Sequence, residues 1–87
     1  MYKIYYTKQA LIDIKKLKNT PLEKKAKEII TLLKENPFAT PPSYEKLLGD
    51  LSGSYSRRIN IQHRVVYEVF EEIKSVKILR MWSHYGE

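Results

Sequence analysis

The chain contains no cysteine. Disulfides and thiolate metal sites are therefore excluded, and the composition suits a reducing compartment. Histidine is nearly as scarce, with only His63 and His84. That is too few for the roughly four ligands of a structural metal site, so no metal or cofactor is expected. No apolar run approaches the ~20 residues that span a bilayer, and the N-terminal residues lack the apolar stretch of a secretory leader. The expectation is a cytoplasmic protein with no membrane association. Internal repeats, low-complexity tracts and linkers are also missing. Eighty-seven residues leave room for one core, hence a single domain over 1–87.

What is present is a packed, basic globule. Apolar residues make up 43% of the chain and aromatics 11%, which argues against disorder. Sixteen basic against ten acidic side chains give a net charge of +6 and a pI of about 9.6. Such a balance favours polyanionic partners, either nucleic acid or an acidic protein. The lysines from Lys15 to Lys34 read as an ordinary solvated surface. The arginines differ: Arg57, Arg58, Arg64 and Arg80 all lie in the second half. Their rigid fork suits phosphate recognition better than a lysine's point charge.

Periodicity supplies the elements. Tyr2 to Tyr6 alternates and is rich in strand formers, giving a short first strand. Thr7 stands where a helix cap belongs, and Ala10, Leu11, Ile14 and Leu17 recur at helical spacing up to Lys18-Asn19. Thr20-Pro-Leu-Glu23 has the form of a capping box with proline at the first helical position. Leu22, Ala26, Ile29, Ile30 and Leu33 then form one stripe, stopped by Asn36-Pro37. A proline-rich loop over residues 38–44 leads to a polar turn anchored by Leu47, Leu48 and Leu51. Two strands come next, around Tyr55–Ile61 and Arg64–Phe70, joined by a short loop, and Ser75–Trp82 reads as the last strand. The fold class is α+β in the order β-α-α-β-β-β. An antiparallel sheet is expected, with a two-helix hairpin packed on one face.

Parity divides the side chains between two faces. Val65, Tyr67 and Val69 form an apolar row toward the helices, so Arg64 points to the open face. Between Tyr55 and Ile61 the odd positions are apolar except Arg57. Arg80, Trp82 and His84 share a parity opposite to Leu79 and Met81. One register thus gathers Arg58, Arg64, Arg80 and His84 on the open face, where something anionic would be received. Taken singly, each residue has a plainer reading. Arg57 and Arg58 pass for solvated strand residues, and Arg64 could pair with Glu68. His63 belongs to a turn, Trp82 to the core, His84 to a fraying end and Glu45 to a loop surface.

The run from Glu45 through Leu51-Ser-Gly53, Tyr55-Ser-Arg-Arg-Ile59 and His63-Arg-Val-Val-Tyr67 to His84-Tyr85 resembles the YoeB/Txe-type toxins. These form a branch of the RelE/ParE superfamily of type II toxin–antitoxin systems. The likeness covers essentially the whole chain and is most specific from Glu45 to Tyr85. It implies an mRNA interferase: an endoribonuclease acting on mRNA in the ribosomal A site and silenced by a cognate acidic antitoxin. By the same resemblance Glu45 is the general base, Arg64 the transition-state arginine and His84 the general acid. Tyr85 would position substrate, with Arg58, Arg57 and Lys46 as further contacts. Three departures stand out. Gly86 and Glu87 extend past the His-Tyr pair, Lys46 replaces a proline, and Leu48 replaces a basic residue whose charge Lys46 is placed to supply. Whether the chain forms a homodimer is left open.

These residue types also suit the chemistry on general grounds. RNA carries its own nucleophile in the 2′-hydroxyl, so a metal-independent reaction is expected. A carboxylate can accept that hydroxyl's proton, arginine can stabilise the added charge at phosphorus, and imidazole can protonate the departing 5′-oxygen. A second reading keeps the scaffold without the catalysis, as a ParE-like gyrase inhibitor or a basic RNA-binding module.

Overall fold

Thr7 shows how the first strand becomes the first helix. In the computed structural model, which describes residues 1–83 and side chains through Met81, β1 spans Lys3–Tyr6 and α1 spans Lys8–Leu17. The Thr7 hydroxyl accepts from the Ala10 N–H at 3.0 Å and donates to the Leu79 carbonyl at 2.9 Å. One side chain thus caps the helix and ties it to the sheet. The inward face of α1 carries Ala10, Asp13 and Leu17, with Ile14 partly buried. Leu11, expected in the stripe, is 50% exposed. The helix rolls so that Asp13, not Leu11, faces inward.

The second helix, α2, spans Glu23–Glu35 and begins at Glu23 rather than at Pro21. Thr20 closes the preceding turn instead of capping the helix. Its hydroxyl donates to the Leu17 carbonyl at 2.6 Å and accepts from the Leu22 N–H at 3.3 Å. The Glu23 carboxylate reaches back to the Asn19 N–H at 3.4 Å, where Asn19 takes a left-handed φ of 64°. The capping residues therefore make their reciprocal bonds one step early, to fold the interhelical loop. Ala26, Ile29 and Leu33 are buried, as the stripe predicts.

Four further strands complete the sheet: β2 (Glu45–Lys46), β3 (Tyr55–Arg58), β4 (Arg64–Phe70) and β5 (Ser75–Ser83). Their order is β1-β5-β4-β3-β2. The pairs from β2 to β5 are antiparallel, but β1 runs parallel to β5. The sheet is thus mixed and five-stranded, where alternation suggested four antiparallel strands. β1 leaves the sheet for the helices and pairs with the last strand, so no hairpin sets its direction. A two-residue strand is too short for alternation to reveal. The core lies between the layers, with Leu17, Ile29 and Leu33 against Val65, Tyr67, Val76, Ile78 and Met81. Burying each large aliphatic side chain contributes about 2–3 kcal/mol.

Two register shifts in β5, one between the partners of Arg64 and Val66 and one between those of Val66 and Tyr67, break its alternation. Val66 pairs with Arg80 but Tyr67 with Ile78, leaving Leu79 as an extra residue in β5. Val76 and Ile78 point inward before it and Met81 after it. Arg80 does not join the open face as parity predicted. Its Nε donates to Asp13 Oδ2 at 2.8 Å, and the Met81 N–H donates to the same oxygen at 2.9 Å. Gln9 adds a bond at 3.3 Å. Burial by itself would raise the Asp13 pKa, but bonds from Arg80, Met81 and Gln9 outweigh it and leave the carboxyl below its ordinary value.

Candidate active site

The open face is assembled across three strands. Register places Glu45 opposite Ser56, Ser56 opposite Val66, and Arg58 opposite Arg64. Ser56 and Val66 are both buried and form a floor. Above it, Arg64 Nη1 donates to Glu45 Oε1 at 2.5 Å and to Ser56 Oγ at 3.3 Å. A cleft of about 410 Å³ is lined by Pro42, Ser43, Glu45, Ser56 and Arg58. The Glu45 side chain is 61% exposed while that of Arg64 is 16% exposed. The carboxylate therefore remains open to solvent on one side while the guanidinium is held from below. Arg64 takes Glu45 as its partner rather than Glu68.

Local sequence explains the frame. Asn60 Oδ1 accepts from the Gln62 and His63 N–H groups at 2.8 and 2.7 Å, closing the β3–β4 hairpin. His63 belongs to that turn, as its plainer reading held. Before β3, Gly53 has φ 95°, a backbone state that side chains disfavour. The glycine of the Leu51-Ser-Gly run is thus required by the turn that returns the chain alongside β2, where Leu47 N–H donates to the Ser54 carbonyl at 2.9 Å.

Of the residues expected at the site, Glu45, Arg64 and Arg58 come together. Lys46 is exposed but pairs across β3 with Tyr55, so it starts from the opposite face to Glu45. His84 and Tyr85, with Gly86 and Glu87, lie outside the described residues, as does the Trp82 side chain.

Arg57 requires a correction. Expected as a substrate contact, or as a solvated strand residue, it is 1% exposed. Its Nε donates to the Tyr67 hydroxyl at 2.9 Å, Nη1 to the Pro42 carbonyl at 2.6 Å and Nη2 to the Pro37 carbonyl at 2.8 Å. The Tyr44 ring lies 5.0 Å from the guanidinium carbon. Burial pushes the Tyr67 hydroxyl above its ordinary pKa, with the Arg57 charge opposing that rise. One sequence signal foretold this: Arg57 interrupts the apolar odd positions Tyr55 and Ile59, so its parity already pointed inward. Asp13 and Ser56 had no comparable signal. No group of three or more His, Asp or Glu side chains placed to hold a metal occurs among the described residues.

Two helices on one face of a mixed five-stranded sheet make a small α+β fold, and solved structures of toxins share it. A YoeB/ParE toxin from Agrobacterium tumefaciens has a TM-score of 0.86 at 30% identity, covering 95% of this chain and 99% of that one. YoeB in a YoeB–YefM complex from Staphylococcus aureus has a TM-score of 0.81 at 34% identity, covering 98% and 99%. Toxin YoeB of Escherichia coli O6:H1 is 40% identical over 62 residues, covering 71% of each chain. The family model for the YoeB-like toxin of bacterial type II toxin–antitoxin systems matches residues 6–85. The chain belongs to that family.

Proposed function

We propose that this YoeB-like toxin is a metal-independent endoribonuclease that cuts mRNA in the ribosomal A site and so stops translation. The observation that carries this reading is the contact between Glu45 and Arg64 over a cleft that also presents Arg58. In the proposed step Glu45 accepts the 2′-hydroxyl proton as that oxygen bonds to the adjacent phosphorus. Arg64 leaves its contact with Glu45 to hold the phosphoryl oxygens, where the added negative charge develops. His84 protonates the 5′-oxygen as its bond to phosphorus breaks, and Tyr85 positions the substrate. The products are a 5′-hydroxyl fragment and a 2′,3′-cyclic phosphate. Arg58 contacts a neighbouring phosphate. Lys46, from the opposite face, would serve an adjacent part of the substrate.

The partner that silences the site is, in this reading, an acidic antitoxin whose carboxylates cover Arg58 and Arg64. The YoeB–YefM complex of Staphylococcus aureus supports such pairing. The setting is the cytoplasm, where ribosomes and the antitoxin are available.

The test maps cleavage of ribosome-bound message whose target nucleotide carries either a 2′-hydroxyl or a 2′-deoxy sugar. Cleavage of the first with a 5′-hydroxyl product, silence on the second, and loss of activity in His84→Ala are expected. Equal cutting of both sugars would remove the 2′-hydroxyl mechanism. Supercoiling inhibition without RNA cleavage would instead place the chain with gyrase inhibitors.

A further inference from the structure

Arg57 stands out as a full positive charge buried, among the described residues, without an ionic partner. Among the described residues its contacts are two carbonyls, one hydroxyl and one aromatic ring. Desolvating a guanidinium is costly, and core packing alone would be served better by an aliphatic side chain. The contacts share a pattern. Pro37 stands just past the end of α2, and Pro42 lies near the start of β2, so the two carbonyls bracket the proline-rich loop. Arg57 grips both with one planar fork, and Tyr67 supports it by also donating to the Pro37 carbonyl at 3.4 Å.

That loop delivers Glu45. Its prolines have no N–H with which to join a sheet, and β2 is held to β3 over only two residues, Glu45↔Ser56 and Lys46↔Tyr55. The ladder by itself is a weak hold for an edge strand. Packing adds to the grip of Arg57: Phe38, Tyr44 and Tyr55 meet edge to face at 5.6–6.0 Å. Arg57 also belongs to β3 beside Ser56, the residue paired with Glu45. A shift of the loop would therefore move the carboxylate relative to Arg64.

We propose that Arg57 is a positioning residue: it clamps the 37–44 loop against β3 and thereby fixes the Glu45 carboxylate over the cleft. It touches no substrate. The catalytic part of this inference rests on the reading of Glu45 as the base; the structural part does not. Lysine keeps the charge but lacks the spread planar fork by which Nε, Nη1 and Nη2 each meet a separate acceptor.

The test compares the full chain with Arg57→Lys and Tyr67→Phe. Single-turnover cleavage of ribosome-bound message gives the rate and the half-saturating concentration, and amide hydrogen exchange reports the loop. For Arg57→Lys the rate per folded molecule is expected to fall about 10- to 100-fold, as misplacement by an ångström can do. Half-saturation should stay within about threefold, since binding groups such as Arg58 are untouched. Tyr67→Phe, which keeps the charge, should show a smaller fall of the same kind. The Leu47 amide should lose protection in Arg57→Lys while amides of β4 keep theirs. A folded Arg57→Lys that cuts at the parental rate, or a Leu47 amide as protected as in the parent, overturns the proposal. Should Arg57→Lys not fold, a parental rate in Tyr67→Phe overturns it. A parent that does not cut RNA defeats the nuclease reading instead, and the Leu47 exchange still decides whether Arg57 is the clamp.

Discussion

Asp13–Arg80 and Glu45–Arg64 are built from the same two groups and behave as opposites. In the first, a carboxylate with no exposed surface receives a guanidinium, a backbone N–H and a side-chain amide. In the second, an exposed carboxylate takes one guanidinium donor, and the guanidinium rests on Ser56 beside an open cleft. The convergence of donors on the buried Asp13 carboxylate fixes α1 against β5. In the proposed reaction the sparser pair opens as a phosphate competes for Arg64. Burial and the number of bonds, not the identity of the groups, separate a structural pair from one available for chemistry.

The sharpest way to test that contrast is to remove the exposed carboxylate. Glu45→Gln is expected to slow single-turnover RNA cleavage by about 10²- to 10⁴-fold. Its unfolding free energy in urea should shift by no more than about 1 kcal/mol, as for exposed ion pairs generally. Next comes the buried carboxylate. Asp13→Ala removes the shared acceptor of Arg80 Nε and the Met81 N–H and should cost about 3 kcal/mol in the same urea measurement. A loss there no larger than that of Glu45→Gln would erase the distinction.

Acid provides a third probe, with its sign fixed by Asp13. Its carboxyl titrates below the ordinary value when folded, so its contribution is present above the unfolded Asp pKa of about 3.9. That contribution should disappear as pH falls through the lower, folded value. Urea midpoints measured from neutral pH into this acid range should fall less steeply in Asp13→Asn than in the parent. The smallest effect is expected from Arg58→Ala. RNA affinity should weaken modestly, with the slope of log affinity against log salt reduced by about one and stability unchanged.

The same contrast explains how far local pattern reaches in this chain. The Ala26, Ile29 and Leu33 stripe, the Thr7 cap and the β3–β4 hairpin are signalled by spacing within a few residues, and all three stand. Parity misplaces Arg80 because register shifts on both sides of the Val66–Arg80 pair break the alternation of β5 around it, and bulges leave little mark on the sequence pattern. Leu11 and Asp13 exchange places because apolar counting ranks leucine inward, whereas Asp13 is admitted by partners 67 and 68 residues away. Arg57 is half legible: its parity points inward, but the carbonyls that receive it belong to a loop with no periodicity.

The two helices, the strand-rich second half and the toxin family are all legible in the order of residues. Each of these comes from local spacing or from a run of residues in fixed order. That β1 lies parallel to β5, that Arg57 is enclosed while Arg64 stays at a cleft, and that Glu45 meets Arg64 emerges only once the chain is folded. A charged side chain's role depends on which groups replace its water. Those groups are brought together by pairing and packing between distant segments, which local pattern does not encode.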